Sequence, residues 1–181
     1  MKKYFLLTAF GKDRPGIVSG VSKVLFDLGG NIEDASMTRL GGEFTMMLVV
    51  GVPPAVSAGR LQKAYAGLHR KMGLEVEAKP IAPALAHSRK GDEAHYLISV
   101  YGSDKPGIVY RVTDALAKRH ISITDLNTRA IPRAGGHTYV MLLEVQIPEK
   151  ADLDDLRSAL DDLRTSLQVE ISFQDVDATA L

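Results

Sequence analysis

The sequence predicts an α+β protein in which one β-α-β-β-α-β unit occurs twice in tandem. An eight-residue segment that begins at Gly11 (GKDRPGIV) recurs in similar form at Gly102 (GSDKPGIV), 91 residues later, in a chain of 181 residues. The same offset aligns Ile32 with Ile123. Since the offset is half of the chain, we expect two copies of one domain.

The first unit begins with an apolar strand and continues, after a Pro-Gly step, with a helix whose apolar side chains recur every 3.6 residues. Gly29 is expected to end this helix. Two strands joined by a Gly-Gly turn follow, then a helix that ends at Gly73 and an alternating strand. The predicted strands of this unit are 4–10, 32–39, 43–52 and 74–78.

The second unit repeats this order, with strands predicted at 95–101, 123–131, 138–147 and 169–173. Such an order is typical of a ferredoxin-like sandwich, in which helices cover one face of an antiparallel sheet. Residues 80–93 hold two prolines, a glycine and mixed polar residues, which indicates a linker. The predicted domains are therefore 1–80 and 94–181, joined by a linker at 81–93.

Charge is balanced over the whole chain but not within its halves. The 22 basic and 22 acidic side chains cancel, yet residues 1–90 carry a net charge of +6 and residues 91–181 a net charge of −6. A neutral total argues against direct nucleic-acid binding, whereas the opposed halves could attract each other within a chain or in a homodimer. No apolar run approaches the ~18 residues of a membrane span. We expect a cytoplasmic protein without membrane contact.

Features of catalytic and metal sites are missing from the sequence. It contains no cysteine, and no G-x-S-x-G, P-loop, H-E-x-x-H or G-x-G-x-x-G motif. The five histidines show no metal-ligand spacing, so we expect no metal, no cofactor and no enzymatic activity. The second helix of the first unit is basic, which indicates a solvated face, with nucleic-acid or protein docking as alternatives.

The repeated Asp-x-Pro-Gly step can be explained by local structure alone. Asp13 and Asp104 are placed to cap the helix that follows, and Pro15 and Pro106 suit its first turn. On this interpretation the step is only a favourable helix start.

The same step can also be interpreted as a ligand site. Gly16 and Gly107 carry no side chain where the helix begins, and free N–H groups at the positive end of a helix suit a carboxylate. Asn31 or Asp34, at the start of the second strand, could then hold an ammonium group. Spacing alone leaves both interpretations open.

The segment at 13–18, the Asn31-Ile32 pair and the Gly-Gly hairpin together resemble an ACT domain, a ferredoxin-like module that binds small effectors, commonly amino acids. Nearly the whole chain is covered, as two copies with no catalytic or DNA-binding domain attached, which is similar to the glycine cleavage system transcriptional repressor family. The resemblance implies that an effector lies between the loop after the first strand and the start of the second strand, often across an interface.

Carried onto this chain, the resemblance implicates two sets of residues. They are Asp13, Arg14, Pro15, Gly16, Ile17 and Asn31 in the first unit, and Asp104, Lys105, Pro106, Gly107 and Ile108 in the second, where Ser122 replaces Asn31. Because serine is shorter and lacks the amide, we expect the first unit, or an interface it shares, to provide the better site.

The resemblance further implies a non-enzymatic regulator. Amino-acid binding would shift the packing of the ACT units and change the affinity for a protein partner, with an indirect effect on the transcription of glycine-cleavage-type metabolism. The alternatives are a regulatory subunit of a separate metabolic enzyme and a small enzyme on the same scaffold. We expect Gly16→Val to abolish effector binding in a protein that stays folded.

Overall fold

In the computed structural model, which describes residues 1–86, 94–133 and 136–176, the chain divides into two compact units, Met1–Arg89 and Lys90–Leu181. Each unit is a four-stranded antiparallel sheet with helices on one face, so the predicted α+β, ferredoxin-like fold is confirmed. The elements of the first unit are β1 (Lys3–Lys12), α1 (Ile17–Asp27), β2 (Asn31–Leu40), β3 (Glu43–Val52), α2 (Ala58–Met72), β4 (Glu75–Ile81) and the short α3 (Pro83–Ala86). Those of the second unit are β5 (Ala94–Ser103), α4 (Ile108–Ala117), β6 (Ser122–Arg133), β7 (Gly136–Ile147), α5 (Leu153–Leu167) and β8 (Val169–Asp175).

The sheet of the first unit has the strand order β2-β3-β1-β4. Alternate residues of β1 (Phe5, Leu7 and Ala9) are buried because they face the helices, whereas the residues between them face away from the helices. The buried Tyr65 of α2 ties the two helices together, since its hydroxyl donates a hydrogen bond to the Val21 carbonyl oxygen of α1 at 3.2 Å. Burial raises the pKa of Tyr65 to about 12.

The second unit repeats this arrangement with the order β6-β7-β5-β8. In β7 the buried Met141, Leu143 and Val145 alternate with more exposed residues and pack against the helices. Helix α5 buries four leucines at helical spacing: Leu156, Leu160, Leu163 and Leu167. The apolar periods of the sequence therefore identify both cores correctly.

Glycines predicted to end helices and turn hairpins adopt the backbone conformations that those roles require. Gly29 and Gly73 follow the ends of α1 and α2 with φ of +70° and +67°. Gly41 and Gly42 form the tight turn between β2 and β3 with φ of +60° and +85°. Gly135, the counterpart of Gly41 in the repeat, lies outside the described residues.

The structure departs from the sequence prediction at the end of the first unit's last strand, which continues beyond its predicted end. β4 continues to Ile81, which pairs with Tyr4, and Pro80 lies opposite Phe5. Proline is tolerated here because β4 is an edge strand, where a missing N–H breaks no bond to a further strand. Pro83–Ala86 then forms a helical turn within the predicted linker, and 87–93 lie outside the described residues.

Candidate functional site

The loop between β1 and α1 is held by the β2–β3 hairpin rather than by a helix cap. The Asp13 backbone N–H donates to the Gly42 carbonyl oxygen at 2.9 Å, and the Asp13 carboxylate accepts a hydrogen bond from Arg39 Nη1 at 3.0 Å. The prediction that Asp13 caps the helix is therefore wrong: Gly16 is the N-cap residue, and no described side chain caps α1. Pro15 precedes the helix start and lies outside its first turn.

The corresponding loop of the second unit is tied to a different element. Lys105 Nζ donates to the Leu167 carbonyl oxygen at 3.1 Å and to Gln168 Oε1 at 2.9 Å, at the C-terminal end of α5. Asp104 does not cap α4 either; Gly107 is its N-cap residue, and no side chain in the part of the chain that the structure describes caps its first turn. As in the first unit, the proline of the step (Pro106) precedes the helix start.

Both glycines of the repeated step are required by the backbone. Gly16 has φ of +94° and Gly107 has φ of +91°, a region that side-chain-bearing residues adopt only with strain. Gly16→Val would therefore strain the loop as well as cover the helix start, and its effect on effector binding stays a prediction. Ile17 and Ile108, also predicted as ligand residues, are each only 2% exposed and belong to the two cores.

Within one unit, the start of the second strand lies far from this loop. Asn31 lies level with Tyr4, at the beginning of β1, because both residues pair with the same residue of β3. Asp13, in contrast, follows the end of β1 at Lys12. Asp13 is nine residues beyond Tyr4, and nine steps of ~3.4 Å separate the two positions by roughly 31 Å. An amino acid cannot bridge that distance, so Asn31 does not complete a site with Asp13 in the same unit.

The same separation holds in the second unit and for the other predicted strand residues. Ser122 pairs through Gln146 with His95, at the beginning of β5, while Asp104 follows the end of that strand. Asp34 follows an irregularity in the β2–β3 register, close to the Asn31 end of the edge strand. Within either unit, the loop and the second-strand residues form two separate groups.

Arg39 is a residue that the sequence argument missed. It lies 26 positions from Asp13, so no local spacing points to the pair. Only the hairpin register, which returns the end of β2 to the end of β1, brings the two together. The register places Ala130 at the corresponding position of the second unit, since Ala130 pairs with Tyr139 as Arg39 pairs with Phe44.

The fold and its internal repeat match a known family over most of the chain. The ACT domain model matches residues 3–79 and 94–174, one match in each of the two structural units. The chain belongs to the ACT domain family. Both of its ACT units have the uncapped helix start and the positive-φ glycine described above.

Relatives align over nearly the full length of this tandem ACT protein. The chain is 27% identical to the glycine cleavage system transcriptional repressor of Escherichia coli strain K12, over 96% of this chain and 90% of the relative. A solved structure of a protein from Galdieria sulphuraria is 28% identical, covers 97% of this chain and 99% of its own, and superposes with a TM-score of 0.81. A candidate glycine cleavage system transcriptional repressor, 24% identical with a TM-score of 0.74 and coverages of 97% and 98%, shares the fold.

In the second ACT unit, the loop borders an open depression of about 510 Å³. Its lining residues are Asp104, Lys105, Gly107, Ile108, Val109, Tyr110 and Tyr139. Four of the predicted site residues thus come together, and the two tyrosines join them. Of the described residues, no three His, Asp or Glu side chains are arranged to hold a metal ion. No helix in the described part of the chain is long and apolar enough to cross a membrane.

Proposed function

We propose that this protein is a non-catalytic, amino-acid-responsive regulator and that its effector binds at the depression beside the start of α4. Membership of the ACT domain family and the full-length similarity to a transcriptional repressor support a regulatory role. The observation that carries the proposal is the combination, at this depression, of a helix start without a side-chain cap and an Asp104 carboxylate without a cation partner among the described residues.

The two charged groups of an amino acid have separate partners at this site. N–H groups of the first turn of α4 and the positive end of the helix dipole attract the effector's carboxylate. The Asp104 carboxylate attracts the ammonium group, because none of the described cations forms an ion pair with it, in contrast to Asp13, which is paired with Arg39. This contrast favours the second ACT unit, whereas the sequence alone predicts the better site in the first unit or at an interface that it shares.

Calorimetric titration with glycine, serine, and the branched-chain and aromatic amino acids tests the proposal. Asp104→Asn removes the negative charge with little change in shape, and we expect it to weaken binding by about ten- to a hundredfold, the effect of about 1.5–3 kcal/mol for a charged hydrogen bond. Asp13→Asn is the matched control and should leave the affinity within twofold. Equal losses in both variants, or no binding by any amino acid, would contradict the proposal.

The regulatory output is a change in affinity for a protein partner, and the effect on transcription is indirect. If effector and partner binding are coupled, each must change the affinity for the other by the same factor. A pull-down with and without the effector measures this coupling. A partner that proves to be a metabolic enzyme instead of a transcription factor would establish the alternative function as a regulatory subunit.

A further inference from the structure

Helix α2 has an exposed basic surface whose cations form no ion pair with the described residues. Its four cations, here called the basic stripe, are Arg60, Lys63, Arg70 and Lys71. All four residues are exposed, α2 contains no acidic residue, and none of the four forms an ion pair with another described residue. The stripe is therefore available to an acidic partner.

The basic stripe is narrow and flat. At 100° per residue, the four cations fall within about 100° of the helix circumference, away from the buried Leu61 and Tyr65. Gly59 and Gly67 lie on the same side, and a Cβ added at either would meet no heavy atom within 4 Å. With no bulky side chain between the cations, another helix can approach closely.

Helix α5 carries a surface of opposite charge. Its four exposed aspartates, here called the acidic face, are Asp154, Asp155, Asp161 and Asp162. They fall within about 120° of the circumference, opposite the buried leucines, with the small Ser158 and Thr165 between them. Arg157 and Arg164 lie to one side of this face.

The two surfaces have similar charge spacing along their helices. On α2 the two pairs of cations are centred nine residues apart, or about 13.5 Å, and on α5 the two pairs of aspartates are centred seven residues apart, or about 10.5 Å. Long arginine and lysine side chains span the difference of about 3 Å. We propose that the basic stripe of one copy of the chain docks on the acidic face of a second copy.

Charge balance favours a second copy over nucleic acid as the occupant. The net charge is +6 over residues 1–90 and −6 over residues 91–181, so the chain carries both complementary surfaces in equal amount. A nucleic acid attracted to the first half would be repelled by the second. Three of the four aspartates already have cation partners. Arg157–Asp154 and Arg164–Asp161 are exposed i,i+3 contacts worth only a few tenths of a kcal/mol, so they rearrange readily. Asp155 accepts a hydrogen bond from Nε of the less exposed Arg119 at 2.7 Å and keeps that partner, so the basic stripe would contact mainly Asp154, Asp161 and Asp162.

Sedimentation velocity with charge-reversed variants of the full chain tests this assembly. The wild-type chain is expected to self-associate in 50 mM NaCl, and its association should weaken at least tenfold in 500 mM NaCl. Arg70→Glu/Lys71→Glu and Asp161→Lys/Asp162→Lys should each remove self-association. A mixture of the two variants should associate again, because each reversed helix then faces its opposite charge on the other chain.

Lys3→Glu/Lys79→Glu is the matched control, since it changes the net charge of the first half by the same amount away from the basic stripe. It should associate as the wild type does. A monomeric wild type in 50 mM NaCl, unchanged association of the α2 variant, or a mixture that stays monomeric would each overturn the proposal. Binding of a DNA duplex that only the α2 variant loses, with self-association intact, would assign the stripe to nucleic acid. None of these results depends on effector binding.

Discussion

Gly107 offers a direct test of why glycine occurs at the repeated helix start. It has φ of +91° and ψ of −1°, and an added Cβ would meet no heavy atom within 4 Å. The methyl group of Gly107→Ala would therefore contact nothing, and any loss of stability would come from the backbone. We expect a cost of about 1–2 kcal/mol, the penalty for placing an L-residue in a left-handed conformation.

For a unit of about 90 residues, this cost corresponds to a fall in Tm of roughly 5–15 °C. Differential scanning calorimetry of the full chain measures it. The control is Gly67→Ala in α2, where the space is equally open but the glycine is helical, so the free energy of unfolding should rise by about 0.5–1 kcal/mol. If Gly107→Ala proved as stable as the wild type, the backbone argument would fail, and the glycine would have to be explained by ligand access alone.

Three further tests, each based on substitutions, concern the packing and the loop contacts. Tyr65→Phe removes the hydrogen bond to the Val21 carbonyl oxygen and should cost about 1 kcal/mol at pH 7. Because burial raises the pKa of Tyr65 from 10.0 to about 12, the native state favours the neutral phenol, and the wild type should lose stability as the pH rises from 10 to 12. Denaturant titration at several pH values should find a smaller loss in the variant. Lys105→Met removes two hydrogen bonds at the end of α5 and should lower the stability of the second unit by about 1 kcal/mol. Arg14→Met, at the corresponding position of the first unit, should change the Tm little. Equal effects of the two variants would contradict the different anchoring of the two loops. In urea titrations, Leu143→Ala should cost about 2–5 kcal/mol of stability and Leu142→Ala less than about 1 kcal/mol, since Leu143 is fully buried and its neighbour is 41% exposed. Similar costs would mean that the buried and exposed faces of β7 are misassigned.

Much of the fold was predictable because its signals are local. The strand Glu43–Val52 and the helix end at Gly73 were predicted to the residue, since alternation, helical period and turn glycines each depend on a few neighbouring positions. The repeat provided the element order and the helix-start segment twice, although Gln168 follows α5 where Gly73 follows α2. Strand ends were less accurate: β4 continues to Ile81 because its pairing with β1, and not its own composition, determines where it ends.

The candidate site was predictable only in part. Sequence identified the loop residues around Gly16 and Gly107, and the structure places the Gly107 loop at a depression. It did not reveal that Asp13 is paired with Arg39, or that Lys105 contacts the end of α5, because these partners are 26 and more than 60 residues away. Such contacts depend on which strand and helix ends the fold brings to the same end of the sheet.

The sequence by itself determined that this chain contains two ACT units, where their helices and strands lie, and which side chains fill the cores. The tertiary structure decided which of the predicted site residues can meet. Asn31 and Asp13 belong to one motif in sequence, yet β1 and β2 run in the same direction, so the start of one strand and the end of the other lie at opposite ends of the sheet. Local patterns specify the elements, whereas the direction and register of pairing determine the distance between them.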